Sequence, residues 1–151
     1  MTFRNKDIPN SLVFKYSKDS HNSHVVYRPK VEVRLSNGQE SITLVMLVDS
    51  GADMSLIPSY IADILNLKIT EKRTSESASE KFETGVSEVH IELKKGNRRI
   101  KLGKMPILVT LDADKNLNTN LLLGRNNFFK KFDIVFRENT LKILLKKPKN
   151  S

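Results

Sequence analysis

The 151-residue chain has no cysteine and no tryptophan. Without cysteine, disulfide staples and thiolate zinc sites are excluded, and no redox compartment can be inferred from bridges. Aromatic residues make up only 7% of the chain. The core must therefore come mainly from Ile, Leu and Val, a diet that favours strands over helices. Long apolar runs are missing too, the longest falling far short of the ~20 residues that span a bilayer. The first residues, from Met1 to Asp7, lack the apolar stretch of a secretory signal. A soluble, cytoplasmic protein with no membrane association is expected, with one cored domain rather than two.

What the chain does have is positive charge, +9 net, unevenly spread. Residues 31–80 carry eight acidic and four basic groups, whereas residues 81–151 carry sixteen basic and seven acidic. The basic clusters Lys94-Lys95-Gly96-Asn97-Arg98-Arg99 and Lys146-Lys147-Pro148-Lys149 read as a solvated hairpin tip and a frayed terminus. With little aromatic interleaving, nucleic-acid binding is the weaker reading. His21 and His24 stand three apart, but no carboxylate or cysteine cluster accompanies them, so a polar loop is favoured over a metal site. No metal and no cofactor is expected.

Periodicity divides the chain at residue 29. Residues 1–28 read as an N-terminal extension with one strand near Leu12-Val13-Phe14. Val31, Val33 and Leu35 then alternate with charged residues, the period of a half-buried strand. Asn37-Gly38 signals a tight hairpin, and Ile42–Val48 reads as the return strand, entering the core as its alternation fades. Residues Ile57–Asn66 predict a short helix with Pro58 in its first turn, a buried stripe of Ile61, Ile64 and Leu65, and Asn66 as a left-handed cap. Residues 70–84 read as an exposed, mobile polar segment, and 112–120 as a polar loop. Val89, Ile91 and Leu93 alternate in a strand that leaves His90 on the surface. Further strands are expected at Ile100–Leu102, Met105–Val109 and Leu121–Gly124, with a helical turn at 125–130 and a final hairpin of Asp133–Phe136 and Thr140–Leu145. Many short strands and two short helices predict an all-β barrel or sandwich.

Two strand ends carry the chemistry. The apolar run Leu44–Val48 delivers Asp49, and a carboxylate at the end of a buried strand needs local compensation. Ser50 offers a hydroxyl, and Gly51 allows close approach of backbone or substrate. The plainer alternative is an ordinary strand-to-turn junction, where Asp, Ser and Gly abound. Leu121-Leu122-Leu123-Gly124-Arg125 repeats the pattern of apolar strand, glycine and charge, which suggests an internally pseudo-symmetric sheet. Arg125 can reach bidentately for Asp53, four residues past Asp49.

Val48-Asp49-Ser50-Gly51-Ala52-Asp53 resembles the active-site signature of retropepsin-like aspartic proteases, and Leu122-Leu123-Gly124-Arg125-Asn126 resembles their second signature. The resemblance covers residues 29–147, closer to cellular members than to compact retroviral ones, with 148–151 as a basic tail. It implies a closed, all-β acid-protease barrel with two short helices, working as a homodimeric endopeptidase on a peptide or protein substrate. Catalysis there needs two carboxylates across one water, and this chain has a single Asp-Ser/Thr-Gly triplet; Glu83-Thr84-Gly85 is the nearest imitation. The second carboxylate is thus expected from a second copy, on a two-fold axis. By resemblance Asp49 is catalytic, Ser50 clamps the pair, Gly51, Ala52 and Asp53 bind substrate main chain, and Arg125 holds Asp53. Thr84, Gly85 and Val86 correspond to the flap over the peptide, with less glycine than the family usually has there. The strand Thr140–Leu145 is expected to form the dimer seam. The rival reading is a non-catalytic dimerisation or peptide-binding module on the same fold.

Overall fold

The computed structural model describes residues 11–76, 81–111 and 121–148, and the segment expected as a loop at 112–120 lies outside them. Twelve strands dominate the described residues. β1 (Ser11–Lys15), β2 (Ser17–His21) and β3 (His24–Arg28) precede β4 (Lys30–Ser36) and β5 (Ser41–Val48). Then come β6 (Leu56–Pro58), α1 (Ser59–Ile64), β7 (Glu71–Glu76), β8 (Lys81–Lys95) and β9 (Arg98–Thr110). β10 (Leu122–Leu123), a 3-10 turn at Phe129–Lys131, β11 (Asp133–Arg137) and β12 (Lys142–Lys146) complete the chain. The all-β expectation holds.

The main sheet runs β4-β5-β10-β6-β9-β8-β7, and a further β4–β8 pairing closes it into a barrel from which β7 hangs. Closure removes the exposed edges that an open sheet of this length would present. Val33, Leu35, Ile91, Leu93, Ile107 and Leu123 fill the interior, each 2% exposed or less. β8 and β9 form a long hairpin about the two-residue Gly96-Asn97 turn, with Gly96 at φ +60°. The two strands expected at 100–102 and 105–109 are one. Ile91 faces Gly103 while Glu92 faces Lys101, so Leu102 is an extra residue, and Gly103 at φ +87° absorbs the bulge.

Several local expectations are corrected. The Asn37-Gly38 hairpin closes through four loop residues, because Asn37 caps its own turn through Oδ1, accepting from Gln39 and Glu40 N–H at 2.8 and 2.7 Å. Alternation persists to the end of β5, where Val45 is 47% exposed between half-buried Leu44 and fully buried Met46. The helix begins after Pro58, and its buried face is Ile61, Ala62 and Leu65; Ile64 is 50% exposed. Asn66 does take the left-handed conformation, at φ +51°. The polar stretch at 70–84 supplies β7 and the start of β8, paired from Glu71↔Val86 to Glu76↔Lys81.

Residues 11–16, read from sequence as part of an extension, join a second sheet ordered β1-β12-β11 and bury Leu12, Phe14 and Tyr16. This sheet overturns the expectation of a free seam strand at 140–145. β12 is its central strand, paired with β1 on one edge and β11 on the other. Its apolar run is explained by that central position, with Ile143, Leu144 and Leu145 all buried. β2 and β3 form a separate two-stranded sheet that sequence periodicity did not reveal.

Candidate active site

β5 and β10 lie parallel, with Leu122 beside Leu47 and Leu123 beside Val48. Their C-terminal ends therefore open at the same edge of the barrel, and the loops leaving the two strands meet there. Asp49 N–H donates to the Leu123 carbonyl (3.0 Å), so the catalytic candidate starts from a fixed backbone. Gly51 N–H donates to Asp49 Oδ1 (2.8 Å), which orients the carboxylate, and Ala52 N–H donates to the Asp49 carbonyl (3.2 Å). The loop is thus tied to its own acid.

The two signatures are laced together. Arg125 N–H donates to the Ala52 carbonyl (2.8 Å) and Asn126 N–H to the Asp53 carbonyl (2.7 Å). The Arg125 guanidinium meets the Asp53 carboxylate, as the sequence reading expected. Both side chains are largely exposed, 60% and 83%, so the pair orients groups rather than stabilising the fold. Ser55, which sequence reasoning missed, is buried and accepts the Gly124 N–H at 3.0 Å, while its carbonyl takes Leu108 N–H at 2.9 Å. A serine between Met54 and Leu56 in an otherwise apolar stretch was the available signal.

Asp49, Gly51, Ala52 and Asp53 form one side of a cleft of about 540 Å³. Met54, Leu56, Leu108 and Leu122 give it an apolar wall, and Arg73, Ser75, Glu76 and Phe82 face it from the β7–β8 hairpin. An apolar trough with a carboxylate at its floor suits an extended peptide, whose alternate side chains need pockets. Ser50 is exposed beside it.

Thr84, Gly85 and Val86 are not brought to the cleft. Thr84 and Gly85 are buried in the β8 arm. Thr84 Oγ1 shares a hydrogen bond with Ser75 Oγ (2.9 Å) and donates to the Arg73 carbonyl (3.3 Å). A Cβ at Gly85 would stand 2.5 Å from Ile69 Cγ2, so this glycine serves packing. The Val86 carbonyl accepts Thr70 N–H (2.9 Å). The residues that face Asp49 across the cleft lie nearer the hairpin tip, and Phe82, a lone aromatic in a polar stretch, was their sequence signal. Among the described residues no group of His, Asp and Glu is arranged to hold a metal ion.

A family model described as aspartyl protease matches residues 31–126, from β4 through both signatures. The chain belongs to the aspartyl protease family. Its fold is retropepsin-like: a crystal structure of a retropepsin-like aspartic protease from Rickettsia conorii superposes with a TM-score of 0.50, covering 89% of each chain at 15% identity. That likeness is one of fold. Comparison with curated proteins gave no match. No helix among the described residues of this family member is long and apolar enough to cross a membrane.

Proposed function

We propose that the chain is an aspartic endopeptidase that works as a homodimer, each copy supplying one Asp49 to a shared pair. The observation that carries this reading is the seat of Asp49. The residue ends a parallel strand pair, has one carboxylate oxygen tied to Gly51 N–H, and opens on a peptide-sized cleft whose other aspartate, Asp53, is engaged by Arg125. Facing carboxylates about 3 Å apart share one proton, so one activates water while the other protonates the leaving nitrogen. In this reading Gly51, Ala52 and Asp53 bind the main chain of an extended substrate, Arg125 holds Asp53, and Ser50 clamps the paired loops. The β7–β8 hairpin closes over the peptide and excludes water. Its substrate-facing residues are Arg73, Ser75 and Phe82, in place of Thr84, Gly85 and Val86. The folding unit extends back to β1, since Leu12 and Phe14 lie in its core.

Asp49→Asn tests the proposal directly. The amide oxygen still accepts from Gly51 N–H, so fold and oligomeric state persist while turnover drops at least about a thousandfold. Undiminished peptide hydrolysis by this variant overturns the assignment. The rival reading, a binding module without turnover, is favoured by a hairpin arm, Glu71–Glu76, that is charged and lacks glycine. It requires that wild type capture peptides yet cleave none of a mixed library from acid to neutral pH.

A further inference from the structure

β2 and β3 form a ribbon that belongs to neither sheet, and it is built with care. Its register runs from Ser17↔Arg28 to His21↔His24, closed by Asn22 and Ser23 at φ +47° and +68°. Two consecutive left-handed residues make the tight turn whose twist matches paired strands. Every described side chain of β3 is exposed, and Val25, Val26 and Tyr27 are 51%, 37% and 45% exposed. β-branched and aromatic residues suit a pleated surface that is half buried, and a lone two-stranded ribbon is marginal in water. Among the described residues, this ribbon has strand residues and no cover.

Its root lies beside the strand end that delivers Asp49. The ribbon leaves Tyr16 at one foot and enters Pro29 at the other, and the Pro29 carbonyl accepts Val48 N–H (2.9 Å), next to Asp49. Lys30 pairs with Leu47 in register, and Asp19, midway along the ribbon, is bridged to Lys30 (2.8 Å) and Arg28 (3.4 Å). Five residue pairs give the ribbon a reach of about 17 Å from the barrel end that carries the carboxylate. Any second chain that brings its own Asp49 to this one must come to that end. Charge agrees: residues 15–30 hold Lys15, Lys18, Arg28 and Lys30 against Asp19, whereas the charged residues lining the cleft, Asp49, Asp53 and Glu76 against Arg73, are net acidic. A two-fold partner thus meets a basic, apolar ribbon with its acidic face, twice over.

We propose that the β2–β3 ribbon is a dimerisation arm, covered in solution by a second copy of this chain. The inference rests on the half-site reading of Asp49 and adds to it a surface outside both sheets. Val25→Ser/Tyr27→Ser strips the apolar cover while leaving the core untouched, and far-UV circular dichroism should match wild type. Sedimentation equilibrium is expected to show the dimer dissociation constant raised at least about tenfold, which corresponds to ~1.4 kcal/mol. Because the chain lacks cysteine, Val25→Cys gives a single thiol whose alkylation should slow as concentration rises through the dimer transition. A dimer of unaltered affinity in the double variant, or a thiol that reacts equally fast in both states, overturns the arm. A wild-type chain that hydrolyses peptides while monomeric at every concentration overturns the half-site reading itself.

Discussion

A Cβ on Gly124 would stand 2.4 Å from the carbonyl carbon of Met54, so the loop after Asp49 and the end of β10 cross with no space between them. The obstructing atoms are backbone, including the Met54 and Ala52 carbonyl oxygens at 2.6 and 2.9 Å. They cannot rotate away as a side chain would. Gly124→Ala should therefore push the crossing apart, weaken Gly124 N–H to Ser55 Oγ, and lower unfolding free energy by about 3 kcal/mol. Denaturant titration reads the loss, and peptidase activity should fall with it, since Asp49 hangs from the neighbouring Leu123 carbonyl. Wild-type stability in this variant would contradict the crossing.

Arg125→Gln separates structure from substrate binding. The backbone N–H of residue 125 still reaches Ala52, and the lost ion pair is too exposed to carry more than about 1 kcal/mol. The melting temperature should barely move. If Asp53 presents its carboxylate to substrate main chain, however, losing the guanidinium that orients it should raise KM several-fold at least. A large fall in stability with unchanged KM would reverse the assignment of this pair from positioning to structural.

Sharing one site between two chains has a kinetic signature. Specific activity should fall on dilution through the dimer dissociation constant. Adding inactive Asp49→Asn chains to wild type should also poison it, because a mixed pair lacks one acid. After equilibration, activity at constant total protein should follow the square of the wild-type fraction. A linear dependence would mean that each chain works alone.

Both signatures were legible because their information is local: an apolar run, then a small set of residues that the strand end requires. Which residues of the hairpin face the cleft was not legible. β7 and the first residues of β8, Lys81–Glu83, face solvent or the cleft, so Lys72, Arg73, Thr74 and Ser75 carry no burial period that could mark a strand. The β2–β3 ribbon escaped detection for the same reason. β12 was read correctly as an apolar strand and wrongly as an open edge, because composition reports burial without saying which neighbour provides it. In α1, which is six residues long, the stripe slipped from Ile64 to Ala62 because the helix starts after Pro58 and brings the smaller residue against the barrel.

Tyr16 ties the ribbon's first foot to the final hairpin, and it offers a test at high pH. Its hydroxyl donates to Glu138 Oε1 (2.9 Å), and the ring is 6% exposed. Burial first, then the hydrogen bond and negative charge of Glu138, push the phenol from its ordinary 10.0 up to about 12. A proton held more tightly in the folded state stabilises it below the unfolded value, and that stabilisation is lost as pH climbs through the folded value. Stability should therefore decline between about pH 10 and 12, by at most about 3 kcal/mol from this group. Tyr16→Phe cannot ionise, so although it loses the hydrogen bond at neutral pH, its alkaline decline should be shallower than that of wild type. Any background common to both proteins cancels, and the difference between the two curves isolates the phenol. Parallel curves would show that Tyr16 titrates with its ordinary affinity and that the contact with Glu138 does not hold it protonated.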